Sequence, residues 1–316
     1  MRAAVRDRYG DPEVVRVAEV PTPTPQEGEV LVEVVAASLN TADLDHLRGS
    51  PLVARLGTGL RRPRSPRMGL DVAGRVVDTG PEVSDLRPGD RVWADLFSYG
   101  HGAFAHYVSA PAEAFSPIPD GVGFEEAATV PHSGLLALQG LNGRGPVREG
   151  EKVLINGAGG CVGPFAIQIA HARGAEVTAV DHADKLSFVR GMGAERAIDY
   201  TRQDFTLGGE HYDLILDIAE SHPLRHYRRA LAPNGRYVLI AHTLRGFARA
   251  ALLGGRRMGV FAWAPNRRRD LDLLGELIAE GRVHPVIHRR FRLEEVRAAL
   301  GFLADGHARG KLIVAP

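Results

Sequence analysis

The chain carries a single cysteine, Cys161, among 316 residues. One thiol cannot close an internal disulfide and cannot build a cysteine-cluster metal site, so the sequence fits a reducing cytoplasm. Charge of one sign is also missing. Thirty-nine basic and 38 acidic side chains leave a formal charge of +1, which offers no field for nucleic acid or an anionic membrane. No run approaches the roughly 20 apolar residues that a membrane helix needs. The opening segment MRAAVRDRYGDPEVV puts charges where a signal peptide would carry its apolar core. A small-molecule partner is therefore expected, with neither nucleic acid nor membrane.

What is present is the composition of an ordinary soluble protein, 44% hydrophobic and 24% charged, with a length suited to two cores. One local charge excess, Arg61, Arg62, Arg64 and Arg67 among prolines, reads as a solvated loop, with contact to a phosphate-bearing substrate tail as the other reading.

The first third reads as short strands between turns. Glu29 to Val35 and Val72 to Val77 are Val-rich, and Pro and Gly interrupt often, which predicts a compact barrel-like β domain. From Gly121 the character changes to alternating helices and strands. Helical patterns cover Glu125 to Gly140, Val162 to Arg173 and Lys185 to Gly193. Strands are predicted at Lys152 to Ile155, Glu176 to Val180, Ala197 to Tyr200, Tyr212 to Ile218 and Tyr237 to Ala241. Such repeated βαβ units imply a doubly wound parallel sheet with right-handed crossovers. An amphipathic helix from Asp270 to Glu280 and strands at Val286 to Phe291 and Leu312 to Val314 suggest a return to the first domain.

The sharpest signal is the loop Asn156-Gly157-Ala158-Gly159-Gly160-Cys161-Val162-Gly163 between a predicted strand and a predicted helix. Small residues let a pyrophosphate approach the backbone, and the helix N-terminus offers N–H groups and partial positive charge to it. Asp181 closes the next strand, at the place where an acid accepts hydrogen bonds from the adenosine ribose. Its carboxylate repels a 2′-phosphate and favours NADH, whereas His182 and Lys185 stand close enough to accommodate NADPH, so the preference stays open. Cys161 reads as a small residue that fits the loop, its other reading being a reactive thiol whose pKa the helix N-terminus would lower.

Several segments together resemble the zinc-free quinone oxidoreductase and zeta-crystallin-like branch of the medium-chain dehydrogenase/reductase family. They are Ala37-Ser38-Leu39-Asn40 with Asp43, Gly69-Leu70-Asp71-Val72-Ala73-Gly74, Arg87-Pro88-Gly89-Asp90-Arg91-Val92, Gly102 to Tyr107, Glu126-Ala127-Ala128, the glycine loop, Gly193-Ala194-Glu195, Ile198-Asp199-Tyr200, Pro233-Asn234-Gly235 and Gly310-Lys311. The resemblance implies an α/β architecture with a GroES-like β-barrel domain over residues 1–122. A Rossmann dinucleotide-binding domain over 123–264 and a helix and return to the barrel over 265–316 complete it. It further implies an active site in the cleft between the domains, a cytoplasmic homodimer paired through the dinucleotide domains, and a cofactor that is NADPH or NADH.

In the zinc branch a metal is held by cysteine, histidine and a third ligand. By resemblance those positions are Asn40, Leu70 and His132 here, and leucine cannot ligate. The proton-relay hydroxyl of that branch aligns with Ala42. The sequence therefore predicts no catalytic metal. Without one, easily reduced acceptors are favoured: a quinone or an activated α,β-unsaturated carbonyl, taking hydride from the nicotinamide. Asn40 is the candidate for orienting substrate or nicotinamide ribose. His132 is the candidate proton donor, its other reading being a neutral packed histidine, and Tyr99 and His101 are weaker donors. Asp43 reads as structural. Leu136 stands where relatives place a threonine against the nicotinamide. Lys311 and Tyr200 match positions near the cofactor, as do Phe261 and Ala262. Segments Gly49 to Met68 and Phe247 to Trp263 would shape the substrate space. The alternatives are a metal-free alcohol or ketone dehydrogenase on a secondary-metabolite intermediate and a non-catalytic dinucleotide-binding protein.

Overall fold

A computed structural model describes residues 1–240 and 265–316, together with the backbone of 258–261. Ala262, most of the segment from Phe247 to Trp263 and the last residue of the strand predicted to end at Ala241 lie outside the described residues.

The chain forms two compact units. The first comprises Met1–His132, Pro265–Ala279 and Pro285–Pro316. The chain therefore does return to its first unit after the second. The division differs in two places from the sequence reading. Residues 123–132 belong to the first unit, because the short helix Phe124–Ala128 packs on the strands Glu29–Leu39 and Asp71–Thr79. Residues 280–284 belong to the second, where Gln168 accepts from the His284 N–H at 2.7 Å and donates to the His284 carbonyl at 3.1 Å.

The first unit is built on a seven-stranded sheet centred on Glu29–Leu39. That strand alternates buried and more exposed residues over its first half and is wholly buried from Ala36 onward. The alternation is the signature of one face in the core. The C-terminal strand Lys311–Ala315 pairs antiparallel with one edge of it, and Asp71–Thr79 with the other, followed by Arg91–Asp95.

The second unit holds six parallel strands. In spatial order they are Arg196–Asp199, Glu176–Asp181, Lys152–Asn156, Tyr212–Asp217, Leu231–Ile240 and Met258–Phe261. Numbered within the unit this is order 3-2-1-4-5-6, the doubly wound arrangement whose switch point lies beside the first strand. The glycine loop follows that first strand.

The helical pattern from Glu125 to Gly140 is divided at Pro131. Proline lacks the N–H that would continue the first helix and opens the second, Pro131–Asn142. A helix the sequence reading left unassigned, Val296–Ala304, buries Val296, Ala299, Leu300 and Leu303.

Candidate active site

Strand register gathers polar residues in the first unit. Ser38 stands opposite Asp71, and Asp71 opposite Asp95, on three neighbouring antiparallel strands. Leu312 pairs with Leu39, so Lys311 and Asn40, each one step beyond that pair, meet at the same sheet end. All five side chains are buried. An uncompensated charge there would be costly, and none is uncompensated.

Asp71 is the hub. Its Oδ2 accepts from Ser38 Oγ at 2.8 Å, Asn40 Nδ2 at 2.9 Å and the Lys311 ammonium at 3.1 Å. Its Oδ1 accepts from the backbone N–H of His132 at 2.8 Å. Lys311 donates a further short hydrogen bond to Asn40 Oδ1, so both ends of that amide are fixed. Asn40 also caps the helix Thr41–Arg48, and its backbone N–H donates to Asp43 Oδ2 at 2.8 Å. Burial pushes the Asp43 carboxyl up to about 7, which favours its neutral form.

His132 joins the same network through its ring. Nδ1 lies 2.9 Å from Asp95 Oδ2, while Asp95 Oδ1 accepts from the Phe97 N–H at 2.8 Å. The Phe97 ring stacks on the imidazole with centroids 5.7 Å apart. Burial opposes the imidazolium, but the carboxylates of Asp95 and Asp71 prevail and raise its pKa above the ordinary histidine value. His132 is therefore held in a carboxylate-oriented geometry and tends to carry a proton, as a general acid must.

Beside it, His46 and His101 stack with centroids 3.9 Å apart, and Arg6 donates to the His46 carbonyl. Burial lowers both rings, helped by His101 and Arg6 at His46 and by Arg6, His132 and Arg67 at His101, taking His46 to about 2 and His101 to about 4, so both are neutral at pH 7. His101 is consequently a poor acid. Tyr99 is half-buried on the turn after Asp95. Burial, then Glu113 and Asp95, raise its phenol, and among the described residues no hydrogen bond ties it to the Asn40–His132 network.

In the second unit the glycine loop has the geometry its sequence requires. Gly157 has φ +87°, a conformation that favours glycine, and its N–H and that of Ala158 donate to the Val180 carbonyl. A Cβ on Gly163 would lie 2.1 Å from the Ala158 oxygen, so only glycine lets the loop meet the helix Gly163–Ala172 that closely. Gly160 has open space around it, the nearest atom to a Cβ being 3.8 Å away. Val162 caps the helix, and Cys161 beside it is half-buried. Asp181 Oδ2 accepts from the Gly159 N–H at 2.6 Å and Oδ1 from the His182 N–H at 2.8 Å. The acid therefore braces the loop. The Lys185 stem lies against Gly159, and Tyr200, 54% exposed, stands 6.1 Å from the His182 ring. Phe261 lies on the sheet's last strand, paired with Ile240.

The structure thus separates the expected cofactor residues. Ala158 to Gly163, Asp181, His182, Lys185, Tyr200 and Phe261 belong to the second unit, whereas Lys311 belongs to the first, as the counter-ion of Asp71. Asp71 and Asp95 were not singled out as site residues. Each is the lone acid inside an apolar run, Met68 to Gly74 and Val92 to Phe97, and that is the signal that points to them.

Comparison with known proteins gives a consistent picture. Residues 26–120 match the family described as alcohol dehydrogenase GroES-like domain, and residues 192–314 the one described as zinc-binding dehydrogenase. A chloroplast envelope quinone oxidoreductase homolog from Arabidopsis thaliana is 31% identical, over 94% of this chain and 93% of its own length. The trans-enoyl reductase pgmF of Aspergillus terreus is 32% identical, over 90% and 86%. Among solved structures, a quinone oxidoreductase from Coxiella burnetii superposes with a TM-score of 0.90 at 30% identity, covering 100% of this chain and 99% of that one. The zinc in one family description is not matched by the donors here. Leu70 offers none and the Asn40 oxygen already holds an ammonium, which leaves His132 as a single donor, too few for a zinc site. The chain belongs to the medium-chain dehydrogenase/reductase family, in its quinone oxidoreductase branch, and is an oxidoreductase of that type.

Proposed function

We propose that this member of the quinone oxidoreductase branch reduces a quinone or an activated α,β-unsaturated carbonyl without a catalytic metal, at the expense of NADH or NADPH. The observation that carries the reading is the buried His132–Asp95 pair, a proton donor oriented by a carboxylate where the zinc branch would place a metal ligand. The names of the relatives agree in both directions, quinone reduction and enoyl reduction.

When bound, the nicotinamide supplies the hydride. The chain's own residues do the rest. His132 gives a proton to the oxygen that becomes an enolate or hydroquinone, and Asp95 and Asp71 stabilise the imidazolium before transfer. Asn40, clamped between Asp71 and Lys311, orients substrate or the nicotinamide ribose without rotamer freedom. The glycine loop receives the pyrophosphate at the helix Gly163–Ala172. Asp181 beside that loop favours NADH over NADPH by repelling a 2′-phosphate.

The chain is further proposed to be a cytoplasmic homodimer. The strand Met258–Phe261, last in its sheet's order, is the edge at which two such sheets would join. No described helix is long and apolar enough to cross a membrane, and a small-molecule substrate needs none. Reduction of an enone with C4-deuterated NADH tests the chemistry. Deuterium at the electrophilic carbon and solvent hydrogen at the neighbouring one support it, and a product without the label contradicts it.

A further inference from the structure

A second cluster of metal-ligating side chains lies wholly within the six-stranded-sheet unit. Asp204, His222 and His226 bring one ligand atom each to within 4.8 Å of one another. Asp204 lies in the segment after the strand Arg196–Asp199. His222 follows the strand Tyr212–Asp217, and His226 is on the helix Leu224–Ala230. None of the three belongs to the glycine loop or to the His132 network.

Asp204 and His222 are held in place by neighbouring groups. The Asp204 carboxylate is fixed through Oδ1 by the Thr206 N–H at 2.8 Å and the Thr206 hydroxyl at 2.6 Å, and Arg229 in turn holds Thr206. His222 Nδ1 lies 2.9 Å from Ser221 Oγ, a contact that leaves Nε2 to ligate, and the Phe205 ring packs edge-on at 5.1 Å. Metal-binding histidines commonly carry such a partner on their other nitrogen. His226 Nδ1 is buried with no hydrogen-bond partner, a cost that a bound cation would remove.

The spacing is close to what an ion requires. Ligand bonds of about 2.0–2.1 Å set tetrahedral ligand atoms roughly 3.3 Å apart. His222 Nε2 and Asp204 Oδ1 already stand at 3.4 Å, and the three ligand atoms all lie within 4.8 Å of one another. Two imidazoles and one carboxylate are the donors that zinc-like divalent transition cations select over calcium or magnesium.

We propose that Asp204, His222 and His226 form a binding site for one Zn²⁺-class cation, with water completing its coordination. The ion fastens the segment after one strand to the helix after the next. It is separate from hydride transfer and leaves the reading of the active site unaltered.

The test uses the full-length untagged chain, freed of metal with chelator and titrated calorimetrically with ZnCl2 alone at pH 7.5. The proposal expects one equivalent bound, with binding weakened at least about 10-fold in each of His222→Gln, His226→Gln and Asp204→Asn. Co²⁺ in place of Zn²⁺ should give the visible absorption of a low-coordinate site, absent in His226→Gln. Metal-free circular dichroism melts show that each variant is folded. No Zn²⁺ binding up to 100-fold over protein, or binding that all three variants leave intact, overturns the site and means that His222 and Asp204 make a side-chain contact only. Neither result bears on quinone or enone reduction, which is assayed separately.

Discussion

Nδ1 of His132 stands 2.9 Å from Oδ2 of Asp95, a contact between residues 37 positions apart that the strand Arg91–Asp95 and the helix Pro131–Asn142 bring together. Because the carboxylate raises the imidazole's pKa, the acid form persists above the ordinary 6.5. Turnover should hold at low pH and fall as pH rises through that raised value. Any stability the charged pair contributes is full below 6.5 and lost over the same rise. His132→Gln should lower kcat by about 10²–10⁴-fold, and Asp95→Asn should move the alkaline limb to lower pH. A pH–rate profile unchanged by Asp95→Asn would remove His132 from the proton path.

Lys311 is the buried counter-ion of Asp71. Lys311→Met leaves that carboxylate without its cation, which should cost about 3–5 kcal/mol of stability. Urea unfolding measures this directly. The double variant with Asp71→Asn should recover part of the loss, because the stranded charge is gone.

His46 and His101 are neutral in the folded chain and become charged on unfolding below pH 6.5. Their depressed values mean that stability is full above 6.5 and declines as pH falls toward about 4. Each contributes a slope of about 1.4 kcal/mol per pH unit in that window. Urea midpoints between pH 7 and 4.5 should therefore fall less steeply in His46→Gln than in the parent.

The glycine loop separates fold from binding. Gly163→Ala places a methyl group against the Ala158 carbonyl and should destabilise the chain along with dinucleotide binding. Gly160 has room for a side chain, so Gly160→Asp should fold and melt normally yet lose the dinucleotide, because its charge meets the pyrophosphate. Fluorescence titration with NADH and a thermal melt distinguish the two. Normal NADH affinity in Gly160→Asp would contradict the loop's role.

Much of the architecture was legible because its signals are local. The strand–loop–helix around Asn156 to Gly163 carries its own geometry in its glycines, and period-two burial in Glu29–Leu39 follows from its apolar pattern. The active-site network was only half visible. Asn40 and His132 stood out against the family pattern, whereas Asp71 and Asp95 acquire meaning only through strand register. The same holds for Lys311, which a sequence reading places near the cofactor and cross-strand pairing sets against Asp71. The assignment of residues 123–132 to the first unit was hidden for a similar reason, since a helix pattern does not say which sheet it covers.

The central claim is metal-independent reduction of a quinone or enone. Its most direct test is the oxidation of NADH and NADPH against a panel of quinones, enones and simple ketones, with and without a strong chelator. Turnover of quinones or enones that persists undiminished under chelation, faster with NADH, is the expected result. Turnover abolished by chelator and restored by zinc, or activity confined to simple alcohols and ketones, would contradict it.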